Sequence, residues 1–227
     1  MIEVITNICG GKDKLIDNQV TGNAKFTCFT DGDLKSNTWD IKTAYDKFKD
    51  PRRNSRMAKI MPHKYSKAGI IITIDGNMRL LVSPEQLVEK YLGDYDMAIF
   101  NHGGRDCIYD EAIAVAKLGL DDVETIIEQV KFYEDDGFAK KKGLAQGGII
   151  IRRNNKKTQA FNEYWWADYC RYSRRDQLSL MPAIDKAGLR VKFINEGWQP
   201  VGPMMIIGGA IEIVHHAHFE GNFNERK

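Results

Sequence analysis

Short apolar runs rich in β-branched residues recur along the chain, and the segments between them carry apolar residues at helical spacing. Half of these runs are followed directly by Gly, Asp or Asn, which is typical of buried strands that end in turns. We therefore predict six strands, at residues 2–8, 25–30, 69–75, 97–101, 147–152 and 190–194.

Helix start and stop signals lie between the predicted strands. Ser83 is a suitable N-cap, Pro84 stands at the first helical position, Gln86 completes a capping box and Gly93 ends the segment. Similar reasoning predicts further helices at about 121–137, 158–173 and 175–186. Strands that alternate with helices favour an α/β fold with a mostly parallel, doubly wound sheet. We predict one domain over residues 1–227, with an irregular polar tail at 215–227.

Composition narrows the class of protein. The 227 residues include 33 Lys and Arg, 31 Asp and Glu, and 43% hydrophobic residues, as in ordinary globular domains. The longest apolar stretches, 70–74 and 204–214, are too short to span a membrane, and the N-terminus lacks the pattern of a secretory signal. The four cysteines are widely spaced, which argues against a disulfide framework or zinc knuckle. We expect a cytoplasmic protein.

Two basic runs stand out against a net charge of only +2. Residues 51–67 contain six Lys and Arg and no acid, and residues 139–157 contain seven and no acid. Either run is consistent with a solvated surface or with an anionic ligand. In the first run, four cations recur at near-helical spacing and could clamp a diphosphate: Arg52, Arg53, Arg56 and Lys59.

Carboxylates follow two of the predicted strands. Asp31 and Asp33 come after residues 25–30, and Asp75 and Asn77 come after residues 69–74. Side chains two positions apart on an extended segment point the same way, so each pair could face one ligand or metal ion. Both sequences are also common turn sequences. A ligand site is favoured for Asp75 because further apolar residues follow it closely.

Three further groups of residues could belong to a binding or catalytic site. Glu163, Trp165 and Trp166 precede a cluster of hydrogen-bonding side chains, although paired tryptophans are more often part of a core. Asp176, among several arginines, is either a surface ion pair or a carboxylate held in a site. Near the end of the chain, His216 and His218 could reach one metal ion, or belong to a polar tail.

Six motifs occur in order along the chain: CFTDGDL (28–34), DPRRNSRMAKIMPHKYS (50–66), ITIDGNMRLLVSP (72–84), FNHGGRDCIYDEA (100–112), GGIIIRRNN (147–155) and FNEYWWADYCRYSRRDQLSL (161–180). Together they resemble the TOD/MUCI family of glycosyltransferase-like domains, and the resemblance covers roughly residues 2–185. That family is similar to GT-A glycosyltransferases, which implies a nucleotide-sugar donor bound to one α/β domain. Larger relatives are Golgi membrane proteins, whereas we expect this chain to be a minimal cytoplasmic version.

The resemblance also implies a metal site. Asp75-Gly76-Asn77 stands where GT-A enzymes carry Asp-x-Asp, whose carboxylates hold Mn²⁺ or Mg²⁺ on the donor diphosphate. Asn77 departs from that motif, and losing a carboxylate weakens a site for a hard cation. Either His216 or His218 could add a ligand, or the cations of residues 52–59 could neutralise the diphosphate directly.

Mapped onto this sequence, the resemblance gives three groups of site residues. The donor group comprises the diphosphate cations above with Thr6, Asn7, Asp31, Asp75 and Asn77. Asp176 and Gln177 are placed at the reacting sugar as catalytic residues. The acceptor group comprises His102, Arg105, Glu163, Trp165 and Trp166.

The interpretation is thus a glycosyltransferase that acts on a saccharide, lipid or protein acceptor. Two alternative functions stay open. The first is a DNA glycosyltransferase that acts on a modified base and contacts phosphates through Lys140 to Lys142, Arg152, Arg153, Lys156 and Lys157. The second is a noncatalytic module that binds a sugar or nucleotide, which the incomplete Asp-x-Asp would explain.

Overall fold

The computed structural model describes residues 1–11, 13–201 and 204–214. Within these ranges the chain forms eleven strands: β1 (Ile2–Ile8), β2 (Lys25–Thr30), β3 (Asp40–Thr43), β4 (Ile70–Ile74), β5 (Met78–Leu80), β6 (Met97–Asn101), β7 (Ala145–Arg153), β8 (Val191–Ile194), β9 (Trp198–Val201), β10 (Met204–Ile207) and β11 (Ile211–Ile213).

Six α-helices lie between the strands in the same ranges: α1 (Pro51–Ile60), α2 (Pro84–Leu87), α3 (Ile108–Lys117), α4 (Val123–Asp135), α5 (Lys156–Arg171) and α6 (Asp176–Ala187). A 3₁₀ turn at Pro62–Lys64 follows α1, and a π-helical segment at Val88–Leu92 continues α2.

The fold is mixed α/β with a mostly parallel central sheet, as predicted. Seven strands are ordered β3-β2-β1-β4-β7-β6-β8. Four of the six pairings are parallel, and only β7 runs against its two neighbours. A second, antiparallel sheet is ordered β5-β11-β10-β9. Because β7 is antiparallel, its first residues lie at the same edge as the last residues of β1, β2, β4 and β6.

Helices pack on both faces of the central sheet. On one face, α2 and the second sheet cover a core that joins Val4 and Ile72 of the central sheet to Leu80 and Ile211 of the second sheet. On the other face, α1, α5 and α6 cover a core that includes Ile150 and the fully buried Trp165. Burial of these side chains is the main source of stability.

Local signals explain where the helices begin. Asp50 caps α1 by accepting a hydrogen bond from the main-chain N–H of Arg52, and Pro51 occupies the first helical position. Ser83 and Gln86 form the predicted capping box. At the other end of a helix, Gly188 terminates α6 in the left-handed conformation, with a φ of 59°.

All six predicted strands and all four predicted helices are present, with ends shifted by a few residues. The sequence interpretation missed α3, β3 and the strands of the second sheet, and it noted the near-helical spacing of the cations in α1 without listing that helix. Among the described residues, none of the helices is both long and apolar enough to cross a membrane. The predicted tail, 215–227, lies outside the described residues.

Candidate active site

The carboxyl edge of the parallel strands gathers most of the polar residues that the sequence singled out. Asp31 follows β2 and Asp75 follows β4, at the edge where ligands bind in open α/β sheets. The main-chain N–H of Asp75 donates to the carbonyl of Gly148 at 2.8 Å, so the first half of β7 holds the end of β4. Asp31 accepts from the N–H of Gly10 through both carboxylate oxygens, each at 3.0 Å.

A four-residue charge cluster forms beside this edge. The ammonium of Lys59, on α1, lies 3.1 Å from Oδ1 of Asp75 and 2.9 Å from Oδ2 of Asp176. One turn earlier on α1, Nε of Arg56 lies 3.1 Å from the same oxygen of Asp176. The cluster therefore joins the end of β4 to the start of α6 through two cations of α1. We call these four residues the charge cluster.

Solvent reaches the four side chains unequally. The side chain of Lys59 is 7% exposed and that of Asp176 is 14% exposed, whereas that of Asp75 is 36% exposed. Burial alone would raise the pKa of Asp176, but the charges of Lys59 and Arg56 outweigh it and hold this pKa well below its usual range. Burial alone would lower the pKa of Arg56, but the carboxylates of Asp176 and Asp75 raise it. Asp176 is thus held in its ionised form.

The start of α6 is fixed in position by two hydrogen bonds. Nε1 of Trp165 donates to the main-chain carbonyl of Asp176 at 2.8 Å. The side-chain amide of Gln177 donates to the carbonyl of Ala145, at the start of β7, at 2.9 Å. A Cβ atom on Gly147 would lie 3.4 Å from Nζ of Lys59, which is ordinary van der Waals contact, so β7 passes directly beneath the charge cluster.

Arg152 supports the charge cluster from inside the protein. Its side chain is buried and donates to the carbonyl of Lys59 at 2.7 Å, to Oγ1 of Thr73 at 3.0 Å and to Oδ1 of Asn162 at 2.6 Å. Burial lowers the pKa of this guanidinium, a cost that its three neutral acceptors offset. Arg152 thereby ties α1, β4 and α5 together under Lys59.

A cleft of about 360 Å³ opens at the ends of β1 and β2. Its walls combine apolar and charged side chains and are formed by Ile8, Gly11, Asp13, Lys14, Leu15, Thr30, Asp31, Gly32, Leu34 and Lys35. Asp13 lines the cleft, and its carboxylate adds to those of Asp176 and Asp75 in raising the pKa of Arg56. A Cβ atom on Gly76, next to Asp75, would lie 3.3 Å from Cβ of Asp13.

The sequence interpretation missed Asp13. A signal was available, since Asp13 follows the predicted first strand after a Gly-Gly pair, in the same kind of position as Asp31 and Asp75.

Two of the predicted donor residues, Thr6 and Arg53, make structural contacts, and a third, Asn7, does not line the cleft. Thr6 is buried and its hydroxyl donates to the carbonyl of Ile74, so it joins β1 to β4 and does not line the cleft. Asn7 is half-buried and is not among the residues that line the cleft. Arg53 donates to the carbonyls of Tyr169 and Tyr172, each at 2.7 Å, and so holds the C-terminal end of α5.

Two predicted acceptor residues, His102 and Arg105, lie at the carboxyl edge in a loop that is held by internal hydrogen bonds and an ion pair. Nδ1 of His102 accepts from the N–H groups of Gly104 and Arg105, and Nε of Arg105 lies 2.5 Å from a carboxylate oxygen of Glu111. Burial and the charge of Arg105 lower the pKa of His102. The loop follows β6 and lies at the same edge of the sheet as Asp75.

The acceptor prediction for α5 needs correction at one residue, Trp165. Trp165 is fully buried in the core, so its ring has no surface on which a sugar could stack. Trp166 packs against Tyr45, Phe48 and Tyr169 in an aromatic cluster. Glu163 is exposed and pairs with Lys64 at 2.8 Å and His63 at 3.3 Å, next to the 3₁₀ turn that follows α1.

The described residues do not make up a metal site by themselves. Among them, no group of three His, Cys, Asp or Glu side chains is placed to share a metal ion. Asn77 is buried, and Oδ1 of Asp75 already faces the ammonium of Lys59. His216 and His218 lie outside the described residues.

The second basic run does not form one surface. Lys142 pairs with Asp185 at 2.7 Å at one end of β7, while Arg152 near the other end is 1% exposed. Arg153 donates to the main-chain carbonyls of Tyr95 and Gly93. The predicted phosphate-contacting patch therefore loses Arg152, and β7 separates Lys140 to Lys142 from Lys156 and Lys157.

Comparison with known proteins identifies the family of this chain. Residues 15–196 match the family described as TOD1/MUCI70, glycosyltransferase-like domain. The chain belongs to this family. The matched range includes Arg56, Lys59, Asp75 and Asp176, so the whole charge cluster lies inside the TOD1/MUCI70 domain.

Two similar proteins show how much of a longer protein this chain corresponds to. The probable hexosyltransferase MUCI70 of Arabidopsis thaliana is 27% identical over 175 residues, which is 72% of this chain and 30% of that protein. The chain therefore spans less than a third of the length of this curated relative. The solved apo structure of the bifunctional glycosyltransferase WbbM aligns with a TM-score of 0.49 and 12% identity, over 85% of this chain and 38% of that one.

Proposed function

We propose that this TOD1/MUCI70 domain is a glycosyltransferase that takes a sugar from a nucleotide-sugar donor and passes it to an acceptor. The observation that carries the proposal is the sharing of one lysine ammonium between Asp75 and Asp176, beside a cleft at the carboxyl edge of the sheet. Family membership and the relative named a probable hexosyltransferase support the same reaction class.

The cleft suits the nucleoside end of such a donor. Ile8, Leu15 and Leu34 offer apolar surface to a base, and the carboxylates of Asp13 and Asp31 can accept hydrogen bonds from ribose hydroxyls. The donor diphosphate would then extend from the cleft toward Arg56 and Lys59. Both cations can release the carboxylate of Asp176 and bind phosphate oxygens instead.

Transfer breaks the bond between the anomeric carbon and the diphosphate oxygen, and the electron pair leaves with the nucleoside diphosphate. An acceptor oxygen forms the new bond to the anomeric carbon and gives up its proton. Negative charge grows on the leaving diphosphate, where Arg56 and Lys59 stabilise it. Positive charge grows at the anomeric carbon, next to which we place Asp176.

Asp176 must be ionised to serve either as a counter-charge to the anomeric carbon or as acceptor of the proton. The two cations enforce this form in the free protein. When Lys59 and Arg56 turn to the diphosphate, Asp176 loses part of their stabilisation and becomes more basic. Donor binding would thus prepare the carboxylate for the reaction.

A reducing compartment such as the cytoplasm suits this domain. Cys9, Cys28, Cys107 and Cys170 are all free thiols, and the first three are buried. Burial raises the pKa of Cys9 to about 11 and that of Cys28 to about 12, so both stay protonated and inert near neutral pH.

The test is the release of nucleoside diphosphate from a panel of nucleotide sugars without acceptor, in wild type and in Asp176→Asn. A glycosyltransferase hydrolyses its donor slowly, and Asp176→Asn abolishes this release while donor binding persists. Binding without any release from wild type would favour a noncatalytic module.

A further inference from the structure

A chain of hydrogen bonds runs from the protein surface to the main-chain carbonyl of Lys59. Nε2 of His63 lies 3.3 Å from a carboxylate oxygen of the exposed Glu163, and Nδ1 lies 2.9 Å from Nδ2 of Asn162. Oδ1 of Asn162 accepts from Arg152 at 2.6 Å, and Arg152 donates to the carbonyl of Lys59 at 2.7 Å. The side chain of His63 is 8% exposed, and Asn162 and Arg152 are buried, so solvent has little access to the inner part of this chain.

The chemistry of Arg152 fixes where the proton of His63 lies. A guanidinium can only donate, so Asn162 has to face Arg152 with Oδ1 and His63 with its NH₂ group. An amide NH₂ group also can only donate, so Nδ1 of His63 has to accept. The single proton of the neutral ring then lies on Nε2, where it donates to Glu163. The hydrogen-bond chain is therefore complete only while His63 is neutral.

Protonation of His63 breaks this chain. The added proton lies on Nδ1, so two donors, the imidazolium and the NH₂ group of Asn162, face each other. Rotation of the amide by half a turn would remove that conflict but would present its NH₂ group to the guanidinium of Arg152. In either arrangement a buried donor loses its acceptor, which costs more free energy than a single hydrogen bond contributes.

The groups that surround His63 oppose its charged form on balance. Burial has the largest effect, and the charges of Lys64, on the 3₁₀ turn, and of Arg152, on β7, act in the same direction. Glu163, on α5, acts against them through its hydrogen bond and its charge. The result is a pKa of His63 below its ordinary value, in agreement with the hydrogen-bond geometry.

Arg152 caps the C-terminal end of α1, the helix that carries Lys59. The carbonyl of Lys59 is one of the last in the helix, which have no partner within it. The same guanidinium nitrogen, Nη2, donates to Oγ1 of Thr73, two residues before Asp75 on β4. One side chain thus ties the last turn of α1 to the strand that ends at Asp75, and so helps to place the Lys59 ammonium between Asp75 and Asp176.

We propose that His63 is a positioning residue of the charge cluster, whose neutral form acts through Asn162 and Arg152 to hold Lys59 where the donor diphosphate meets it. Protonation of His63 releases Arg152 from Asn162, loosens the end of α1 and weakens donor binding in acid. The effect on the donor rests on the proposed function, whereas the position of the proton on His63 does not.

The first experiment measures the tautomer and the pKa of His63 by ¹⁵N NMR of its imidazole, in wild type, Asn162→Asp and the control Asn37→Asp. We expect the neutral ring to carry its proton on Nε2 in wild type. Asn162→Asp keeps the shape of the side chain but turns its donor into an acceptor, which favours the imidazolium, so the pKa of His63 should rise. Asn37→Asp makes the same change at an exposed position between β2 and β3 and should leave the ring unaffected.

The second experiment measures the Kd of a nucleotide sugar in wild type and in His63→Asn at about pH 7.5 and about pH 5, a range in which histidine titrates and Asp176 stays ionised. Asn offers an acceptor oxygen close to the position of Nδ1 and cannot be protonated in this range. Affinity of wild type should fall on the order of tenfold at the lower pH, because the buried chain loses an acceptor. His63→Asn should bind within a few-fold of wild type at the higher pH and lose much less affinity in acid.

Three results would overturn the inference. A proton on Nδ1 of neutral His63, or a pKa of His63 that does not rise in Asn162→Asp, would remove the hydrogen-bond chain. An equal loss of affinity in acid for wild type and His63→Asn would separate His63 from the donor site. If Asn162→Asp does not fold, the tautomer in wild type and the pH profile of His63→Asn decide. Failure of every nucleotide sugar to bind wild type at either pH would contradict the proposed function and leave the NMR result standing.

Discussion

The ammonium of Lys59 lies 2.9 Å from Oδ2 of Asp176, and both side chains are largely buried. Such a pair strongly resists the loss of one member, because the other is left as an uncompensated buried charge. A ligand that carries its own negative charge can take the place of Asp176 at Lys59. The pair is therefore suited to stabilise the free protein and to be opened by an anionic donor.

Asp75→Ala should abolish donor binding. The carboxylate is the most exposed acid of the charge cluster and fixes the position of Lys59 at the end of β4. Binding is measured by isothermal titration calorimetry with the nucleotide sugar that binds wild type best. Asp110→Ala, which removes an exposed acid of α3, is the control and should bind normally. Undiminished affinity in folded Asp75→Ala would remove Asp75 from the donor site.

Asp176→Asn should lower kcat by about a hundredfold or more and change the donor Kd only a few-fold, because a carboxylate beside the anomeric carbon matters most as charge develops there. The comparison is kcat for donor hydrolysis against Kd from calorimetry. Asp185→Asn is a matched control on the same helix, where the acid pairs with Lys142 at the surface. Equal losses in kcat and affinity would make Asp176 a ground-state binding residue.

Asp176 should also contribute a pH-dependent part of the stability. Its pKa is depressed in the folded protein, so its stabilisation is complete well above the unfolded value of about 4 and is lost as pH falls through and below that value. The unfolding free energy of wild type minus that of Asp176→Asn should thus shrink by about 1 kcal/mol between pH 6 and pH 3. Urea unfolding followed by circular dichroism measures it. A difference that is constant or grows toward pH 3 would contradict the ion-pair assignment.

A strand or helix could be predicted from the sequence where its signal lies within its own residues. The strands β1, β4 and β7 each contain a run of β-branched residues, and α2 carries its own capping box, so each was predicted. The residue before α3 is Cys107, which makes no side-chain cap, and the helix was missed. The strands of the second sheet have three or four residues each, too few to show a period.

Some residues of the candidate site could likewise be predicted from local sequence, and others could not. Asp75 was found because a strand end is visible in the sequence, and Asp176 because it stands among arginines. That Lys59 joins them depends on how α1 crosses the start of α6, which is a property of tertiary packing. Spacing alone also could not tell Arg53, which binds main-chain carbonyls of α5, from Arg56, which reaches Asp176.

Duplex DNA should not bind with micromolar affinity at low salt. The basic run 139–157 is divided by β7, and Arg152 is buried within it. Fluorescence anisotropy at several salt concentrations is the measurement, since each neutralised phosphate would add about 0.9 to the log–log salt slope. Replacing Lys140, Lys141 and Lys142 with Gln should leave nucleotide-sugar binding unchanged. Tight DNA binding with a steep salt slope, reduced in this triple variant, would instead support a DNA acceptor.

The most direct test of the donor site is a thermal-shift screen of nucleotide sugars, with and without Mn²⁺, on wild type, Lys59→Met and the control Lys64→Met. Lys64 is exposed and lies outside the charge cluster. A ligand at a hundred times its Kd stabilises the native state by about 2.7 kcal/mol, which raises Tm by several degrees. We predict that at least one nucleotide sugar raises Tm in wild type and Lys64→Met, and none does so in Lys59→Met. No rise in wild type with any nucleotide sugar, or an equal rise in Lys59→Met, would contradict the account.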